Sequence, residues 1–373
     1  MDQQDNQLMD QQDDQYMKQA MELGEKARGR TSPNPLVGAV IVKNGKIIAT
    51  GYHKKHGDHH AEVNAFNAQA ESSKGATLYV TLEPCFHYGN TPPCVDRVIK
   101  EGISRVVIGL KDPNPLVAGK SIEKLQNHGI EVRVGILEEE LQEQNRIFLK
   151  YIQTKRPYTV IKTAMSLDGK IATASGESRW ITGEEARGQV HSLRDQMSGI
   201  MVGVGTVIED DPSLNTRLTG KEGQDPDRII VDTRGRIPLT SKVLHLDSKA
   251  KTIIASTELM DKDKKKALED LGATVIINPL KNERVDLGHL FQKLGEEKID
   301  SLLVEGGSTL NFSLIEENLV DRIISFIAPK IIGGESAKTP IGGRGILRME
   351  DVISLKNIEY KQFGKDFMIQ GDI

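Results

Sequence analysis

Only two cysteines occur in the 373 residues of the chain, and both fall within ten positions of each other, at Cys85 and Cys94. Two cysteines make no disulfide framework. Reduced thiols, and so the cytoplasm, fit better. Tryptophan occurs once, at Trp180, and aromatic residues make up only 4% of the chain. No apolar run approaches the roughly 20 residues that span a bilayer, and the N-terminus has no hydrophobic signal core. No excess of positive charge is present either: the formal net charge is −4. That argues against a nucleic-acid partner, which calls for a basic face. What remains is ordinary soluble composition, 38% hydrophobic and 27% charged, with length for two domains.

The two cysteines belong to the most informative stretch. His60-Ala61-Glu62 opens it, and Pro84-Cys85 and Pro93-Cys94 close it. One histidine and two thiolates can hold zinc and leave a fourth position for water, the pattern of a catalytic site and not of a closed structural one. Pattern and chemistry resemble the H-x-E and P-C-x-x-C signature of zinc-dependent base deaminases. Here eight residues separate the cysteines in place of two. Residues two apart on a helix point to different sides. Glu62 is therefore read as a proton carrier beside His60 and not as a fourth ligand. A pair of core thiols is the bland alternative for the cysteines. The conjunction of H-x-E with two Pro-Cys pairs favours the metal. His56 and His59 read as solvated loop residues.

In chain order, residues 1–14 are rich in Gln and Asp and read as a disordered tail. A helix is predicted over residues 16–27. Val37–Val42 and Lys46–Gly51 read as a hairpin about Asn44-Gly45, and a helix follows over Ala61–Ala70. Strands are predicted at Ala76–Thr81, Val106–Leu110 and Val132–Val134, with helices between, a βαβ-rich unit ending near residue 150. Gly119-Lys120-Ser121 resembles the tail of a phosphate-binding loop, but Asn114 stands where that motif needs glycine.

The second unit, 151–373, opens with a strand at Tyr158–Ala164. Short strands then alternate with helices, which indicates a mainly parallel sheet. Ile208 stands where a dinucleotide fingerprint would need its third glycine. Glu305-Gly306-Gly307-Ser308-Thr309 joins a strand to a helix, with Ser308 the expected N-cap, and bare glycine amides there can hold pyrophosphate. Residues 323–328 and 358–369 read as late antiparallel strands at the sheet edge. Gly333–Gly345 reads as a long loop and a candidate lid.

Pro33-Asn34-Pro35, His60-Ala61-Glu62, Thr81-Leu82-Glu83-Pro84-Cys85, Thr91-Pro92-Pro93-Cys94 and Asp112-Pro113-Asn114-Pro115 together resemble the deaminase half of the bacterial riboflavin-biosynthesis bifunctional deaminase-reductases. The eight-residue cysteine spacing suits that family. Met165–Lys170, Ser178-Arg179-Trp180, Gly203-Val204-Gly205-Thr206, Asp210-Asp211-Pro212 and Val304–Gly307 resemble the reductase half, in the same order. The resemblance runs from about residue 15 to 370. It implies an α/β fold: a cytidine-deaminase-like α/β/α domain followed by a dihydrofolate-reductase-like domain. It also implies deamination of a diaminohydroxyphosphoribosylaminopyrimidine, then NADPH-dependent reduction of its ribosyl group to ribityl.

Carried over by motif, His60, Cys85 and Cys94 bind one zinc and Glu62 shuttles protons. Asn34, His53, Asp112 and Asn114 contact the deaminase substrate. Ala164, Trp180, Thr206, Asp210 and Gly306, Gly307, Ser308 and Thr309 form the NADPH site. Ser178, Arg194, Leu214, Arg217 and Glu305 contact the reductase substrate, with Arg194 and Arg217 suited to grip its phosphate. The family further implies a homo-oligomer. Two positions depart from its pattern: Asn90, where a basic residue is usual, and Ser121, where glycine is common. Two other readings compete: a cytidine or nucleic-acid deaminase with an accessory domain, which leaves the second half idle, and a structural-zinc module, which would call for a fourth protein ligand.

Overall fold

The computed structural model describes residues 3–86, 92–114, 118–220 and 222–373, with side chains from residue 9 onward. It divides into two compact units, Met1–Thr154 and Lys155–Ile373. Among the described residues no helix is long and apolar enough to cross a membrane.

The first unit runs α1 (Gln3–Glu25), β1 (Gly38–Lys43), β2 (Lys46–Tyr52), α2 (Ala61–Asn67), β3 (Thr77–Leu82), α3 (Cys94–Lys100), β4 (Arg105–Leu110), α4 (Lys120–Asn127), β5 (Glu131–Val134), α5 (Glu138–Gln144) and α6 (Arg146–Thr154). Its sheet has the order β2-β1-β3-β4-β5. β1 is antiparallel to both neighbours, and β3, β4 and β5 are parallel. Successive strand residues face opposite sides. Val106 and Ile108 of β4 accordingly join Ala61, Phe66, Val95 and Leu125 of α2, α3 and α4. Val107 joins Met17, Ala20 and Leu141 of α1 and α5 on the other side. The result is a sheet between helical layers. Gly51 allows α2 to lie hard against β2, because a Cβ there would fall 2.3 Å from the Ala65 amide nitrogen and 2.4 Å from the Ala61 carbonyl oxygen.

The tail expected over residues 1–14 is corrected for residues 3–14, which are the first turns of α1. Composition was a poor guide because Asp13 is fully buried. Its carboxylate accepts from Arg105 Nη1 and Nη2 at 2.8 Å each, from Arg133 Nη1 at 2.8 Å and from Tyr79 Oη at 2.9 Å. Ion pairing thus ties a segment poor in apolar residues to the sheet. The boundary also moves, from 150/151 to 154/155, because α6 continues through Thr154 with Tyr151 buried.

The second unit runs β6 (Tyr158–Ser166), α7 (Glu184–Gln196), β7 (Gly199–Gly203), α8 (Val204–Asp210), β8 (Asp227–Val231), β9 (Thr252–Ser256), α9 (Lys262–Asp270), β10 (Thr274–Ile277), the short hairpin β11 (Leu280–Lys281) and β12 (Arg284–Val285), α10 (Leu287–Glu296), β13 (Ser301–Val304), α11 (Ser308–Glu316), β14 (Arg322–Ala328), β15 (Lys356–Phe363) and β16 (Asp366–Asp372). Nine strands form one sheet in the order β10-β9-β8-β7-β13-β6-β14-β16-β15. It is parallel from β10 to β14, and only β16 and β15 run antiparallel to their neighbours. β14 therefore departs from the expected antiparallel edge: it pairs in parallel with β6 and lies inside the sheet. β13 lies between β7 and β6, so the loops leaving all three adjoin at one end of the sheet, where open α/β sheets bind ligands.

Candidate active sites

In the first unit the chain delivers one side chain from each of three junctions. His60 is the N-cap of α2, with extended backbone (φ −67°, ψ 163°). Cys85 follows β3, and Cys94 is the first residue of α3. His60 Nδ1 lies 3.2 Å from Cys94 Sγ, and the Cys94 amide donates to Cys85 Sγ at 3.2 Å. One ligand atom from each residue lies within 4.8 Å of the others, and among the described residues this is the one group of three or more His, Cys, Asp or Glu side chains so placed. One nitrogen and two soft sulfurs in that compass fit zinc and leave it an open position. Hydrogen bonding from the Cys94 thiol, helped by His60, pulls Cys85 well below the usual thiol range. Cys94 is pushed up, first by sharing that bond and then by burial.

Glu62 is 3% exposed, in the first turn of α2. Burial pushes its carboxyl up to about 7, the Cys85 charge adds to the rise, and His60 opposes it. A carboxyl so placed gains and loses a proton near neutral pH.

Asn34 and His53 come together beside this cluster. Asn34 Nδ2 lies 3.2 Å from His53 Nε2, and His53 Nδ1 lies 3.1 Å from the His59 carbonyl. The carbonyl fixes the ring proton on Nδ1, so Nε2 accepts from the amide. The His53 ring meets the His60 ring edge to face at 5.7 Å. Asp112 and Asn114 follow β4, and the Asn114 amide donates to Asp112 Oδ1 at 2.8 Å.

Glu83, within the Thr81–Cys85 motif, has no ligand or proton-transfer role in the sequence pattern. Its buried carboxylate accepts from the amides of Asp112 (3.1 Å), Gly119 (3.0 Å) and Ser121 (3.1 Å). Glu83 therefore sets the residues after β4 relative to Cys85. The Ser121 departure leaves this amide contact in place. Asn90 lies outside the described residues.

In the second unit the carboxylate of Glu305, just past β13, accepts a forked pair from Arg194 of α7: Nε to Oε1 at 2.7 Å and Nη2 to Oε2 at 3.0 Å. Arg194 Nη1 donates to the Asn215 carbonyl at 2.9 Å. Lys162 of β6 adds its Nζ to Glu305 Oε2 at 2.8 Å. Lys162 belongs to none of the sequence motifs. Its signal is a lone cation within an otherwise apolar strand. Arg194 and Arg217 were expected to grip one phosphate together; the guanidinium of Arg194 commits three of its five N–H donors to Glu305 and the Asn215 carbonyl. Arg217 is exposed and meets His191: its amide donates to His191 Nδ1 at 3.2 Å, and its Nη2 lies 3.5 Å from His191 Nε2. Burial, then Arg194 and Arg217, hold His191 down at about 4, so the ring is neutral at pH 7.

The loops expected to hold the dinucleotide adjoin. A Cβ on Gly307 would lie 3.9 Å from Thr206 Oγ1. Gly307, not Ser308, is the N-cap of α11, and no side chain caps it. Trp180 is 62% exposed, which excludes a core role. The Arg187 guanidinium lies 4.5 Å from its ring centroid. Arg179 Nη2 donates to the Asp210 carbonyl at 2.9 Å. Ala164 lies on β6 opposite Phe326, and Ser178 is half-buried. Leu214 packs its side chain into the core, so only its backbone is available to a ligand.

The Gly333–Gly345 loop is tied down at several points. Asp168 accepts from the amides of Ile332 (3.1 Å) and Gly333 (2.7 Å), Gly342 donates its amide to the Ser308 carbonyl at 3.1 Å, and Asn311 Nδ2 donates to the Pro340 carbonyl at 2.9 Å. It lies across the start of α11.

Residues 157–369 match the family model described as the RibD C-terminal domain, and residues 10–110 match that of the cytidine and deoxycytidylate deaminase zinc-binding region. The riboflavin biosynthesis protein RibD of Actinobacillus pleuropneumoniae is 50% identical over 352 residues, covering 94% of this chain and 93% of that protein. The Escherichia coli K12 RibD is 39% identical, covering 93% and 95%. Two solved structures are similar throughout. Acinetobacter baumannii RibD has a TM-score of 0.87 at 39% identity and covers 98% of this chain and 99% of its own. The diaminohydroxyphosphoribosylaminopyrimidine deaminase/5-amino-6-(5-phosphoribosylamino)uracil reductase of Thermotoga maritima has a TM-score of 0.86 at 36% identity, covering 98% and 99%.

Proposed function

The chain belongs to the RibD family, bifunctional deaminase-reductases of riboflavin biosynthesis, and from that premise we propose its substrates, cofactors and residue roles. The first reaction is hydrolytic deamination of 2,5-diamino-6-(5-phosphoribosylamino)pyrimidin-4(3H)-one. The second is NADPH-dependent reduction of the ribosyl side chain of the deaminated product to ribityl. The cluster of His60, Cys85 and Cys94 with Glu62 beside it carries the first assignment. The RibD C-terminal match over 157–369 leaves no idle half, which sets aside the cytidine-type reading.

His60, Cys85 and Cys94 would hold a single zinc, which would supply Lewis acidity and ease the ionisation of water. Glu62, poised near neutrality, takes a proton from the attacking water and gives it to the ring nitrogen, then helps protonate the departing ammonia. Asn34 and His53, locked by their mutual hydrogen bond, and Asp112 and Asn114, held through Glu83, orient the pyrimidine edge.

NADPH supplies a hydride when bound in the second unit. The amides of Gly306, Gly307, Ser308 and Thr309 open α11 and suit its pyrophosphate. Thr206 and Asp210 of α8, Ala164 of β6 and the exposed ring of Trp180 line the remainder. Glu305 keeps its charge between Arg194 and Lys162 and retains lone pairs for the N–H groups of the uracil ring. Ser178, the Leu214 backbone, Arg194 and Arg217 complete the substrate contacts. The two reduced cysteines support a cytoplasmic location. The exposed edge strand β15, with Tyr360 70% exposed, supports assembly into a homo-oligomer.

The test is incubation with the phosphoribosyl pyrimidine, with and without NADPH, following ammonia and the nicotinamide absorbance. Ammonia release without NADPH, and NADPH oxidation only after deamination, are expected. Turnover of neither kind would leave only the fold and family standing.

A further inference from the structure

The geometry points to Arg187 as a positioning residue of the reductase, one that holds the Trp180 indole in place for the cofactor. This rests on the reading of Trp180 as part of the NADPH site.

Trp180 lies between β6 and α7, outside regular secondary structure, and is 62% exposed. Core packing therefore does not fix its ring. Two bonds hold the chain around it. Lys330 Nζ donates to the Trp180 carbonyl at 2.8 Å, and Arg179 Nη2 donates to the Asp210 carbonyl at 2.9 Å. Neither touches the indole, which they leave free to change rotamer. The ring's own contact comes from α7, where the Arg187 guanidinium carbon lies 4.5 Å from the indole centroid. That of Arg179 lies 6.0 Å away, at the limit of a cation–π contact. Arg187 is itself anchored at both ends. Its amide donates to the Gly183 carbonyl at 3.2 Å, and its Nη1 donates to the Thr182 carbonyl at 2.7 Å. Among the described residues no carboxylate pairs with it, so its charge is directed at the indole. A cation near a helix N-terminus opposes the helix dipole, so helix stability does not account for an arginine here. The stack leaves most of the Trp180 surface open to the cofactor. A ring already held loses little freedom when the cofactor binds, which raises affinity.

Steady-state reduction by the full-length enzyme tests the assignment. Arg187→Ala should raise KM for NADPH about 5-fold, the size of one exposed cation–π contact, with kcat and KM for the pyrimidine substrate within about two-fold. The retained kcat serves as the folding control. Arg187→Lys keeps a cation beside the ring and should recover part of the loss. A second measurement does not depend on turnover: time-resolved fluorescence anisotropy of the full chain, in which Trp180 is the sole tryptophan. The wild type should show only the slow tumbling of the protein. Arg187→Ala should add a fast component from the freed ring, on the timescale of exposed side-chain rotation. An unchanged KM for NADPH, equal penalties on NADPH and the pyrimidine, or superimposable anisotropy decays would overturn the assignment. A wild type that oxidises no NADPH would overturn the functional reading instead, and the decays would still decide whether Arg187 holds the ring.

Discussion

Arg194 and Glu305 meet as a forked pair, with Nε to Oε1 at 2.7 Å and Nη2 to Oε2 at 3.0 Å, and Lys162 completes the contact from β6 at 2.8 Å. The Glu305 side chain is only 9% exposed. Burial pushes its carboxyl up, but Arg194 and then Lys162 overcome this and leave it well below the usual carboxylate range. A buried anion between two cations stays ionised at every physiological pH.

Breaking that arrangement from the acid side leaves two buried cations. Glu305→Gln should therefore destabilise the second unit by about 3 kcal/mol, the cost of an orphaned buried charge. It should also abolish reduction and leave ammonia release intact. Lys162→Met keeps the Arg194 fork and should cost less stability while still impairing reduction. Chemical denaturation and NADPH oxidation assays measure the two effects. Normal reduction in Glu305→Gln would show that the carboxylate faces no substrate.

Glu62→Gln separates the two chemistries. The amide cannot carry a proton between water and the ring, so ammonia release should fall by at least about 100-fold, the lower range for general acid–base catalysis. Zinc content and NADPH-dependent reduction of the deaminated substrate should persist, since His60, Cys85 and Cys94 are unchanged. Metal analysis beside both assays reports this. Deaminase turnover at wild-type rate would remove Glu62 from the mechanism.

Asp13→Ala tests whether the N-terminal helix is part of the deaminase unit or an appendage. Asp13 is fully buried between Arg105, Arg133 and Tyr79. Removal leaves Arg105, only 12% exposed, without its main partner. A loss of about 3 kcal/mol is expected, with hydrogen exchange of α1 rising. Unchanged stability and protected α1 amides would mean that apolar contacts such as Met17 and Ala20 hold the helix alone.

The zinc cluster was legible because its chemistry is written in residue types that have few other uses: two lone cysteines, each after proline, and a His-x-Glu. Alternating strands and helices were legible in the same way, through short apolar runs. Two kinds of feature were not. Residues 3–14 fail every apolar test, yet one aspartate meeting cations from β4 and β5 orders them, and those partners lie 92 and 120 positions away in sequence. Lys162, Glu83 and His191 were missed for a related reason. Each is a common residue whose meaning depends on what the sheet brings beside it. The pairing of Arg194 with Glu305, and not with Arg217, likewise depends on which face of α7 meets the end of β13.

The depressed pKa of His191 carries a stability consequence with a definite sign. The ring titrates at about 4 in the folded chain, against an ordinary value of 6.5. Between those values the unfolded chain binds the proton and the folded chain does not, so acidification favours unfolding there. The stability of the second unit should fall as pH drops from about 6.5 to about 4, and this contribution should level off below. Urea midpoints followed by the fluorescence of Trp180 report on that unit, because it holds the sole tryptophan of the chain. His191→Gln removes the titration and should flatten this part of the profile in phosphate-free buffer. Superimposable profiles for the two proteins would mean that His191 titrates alike in the folded and unfolded chains.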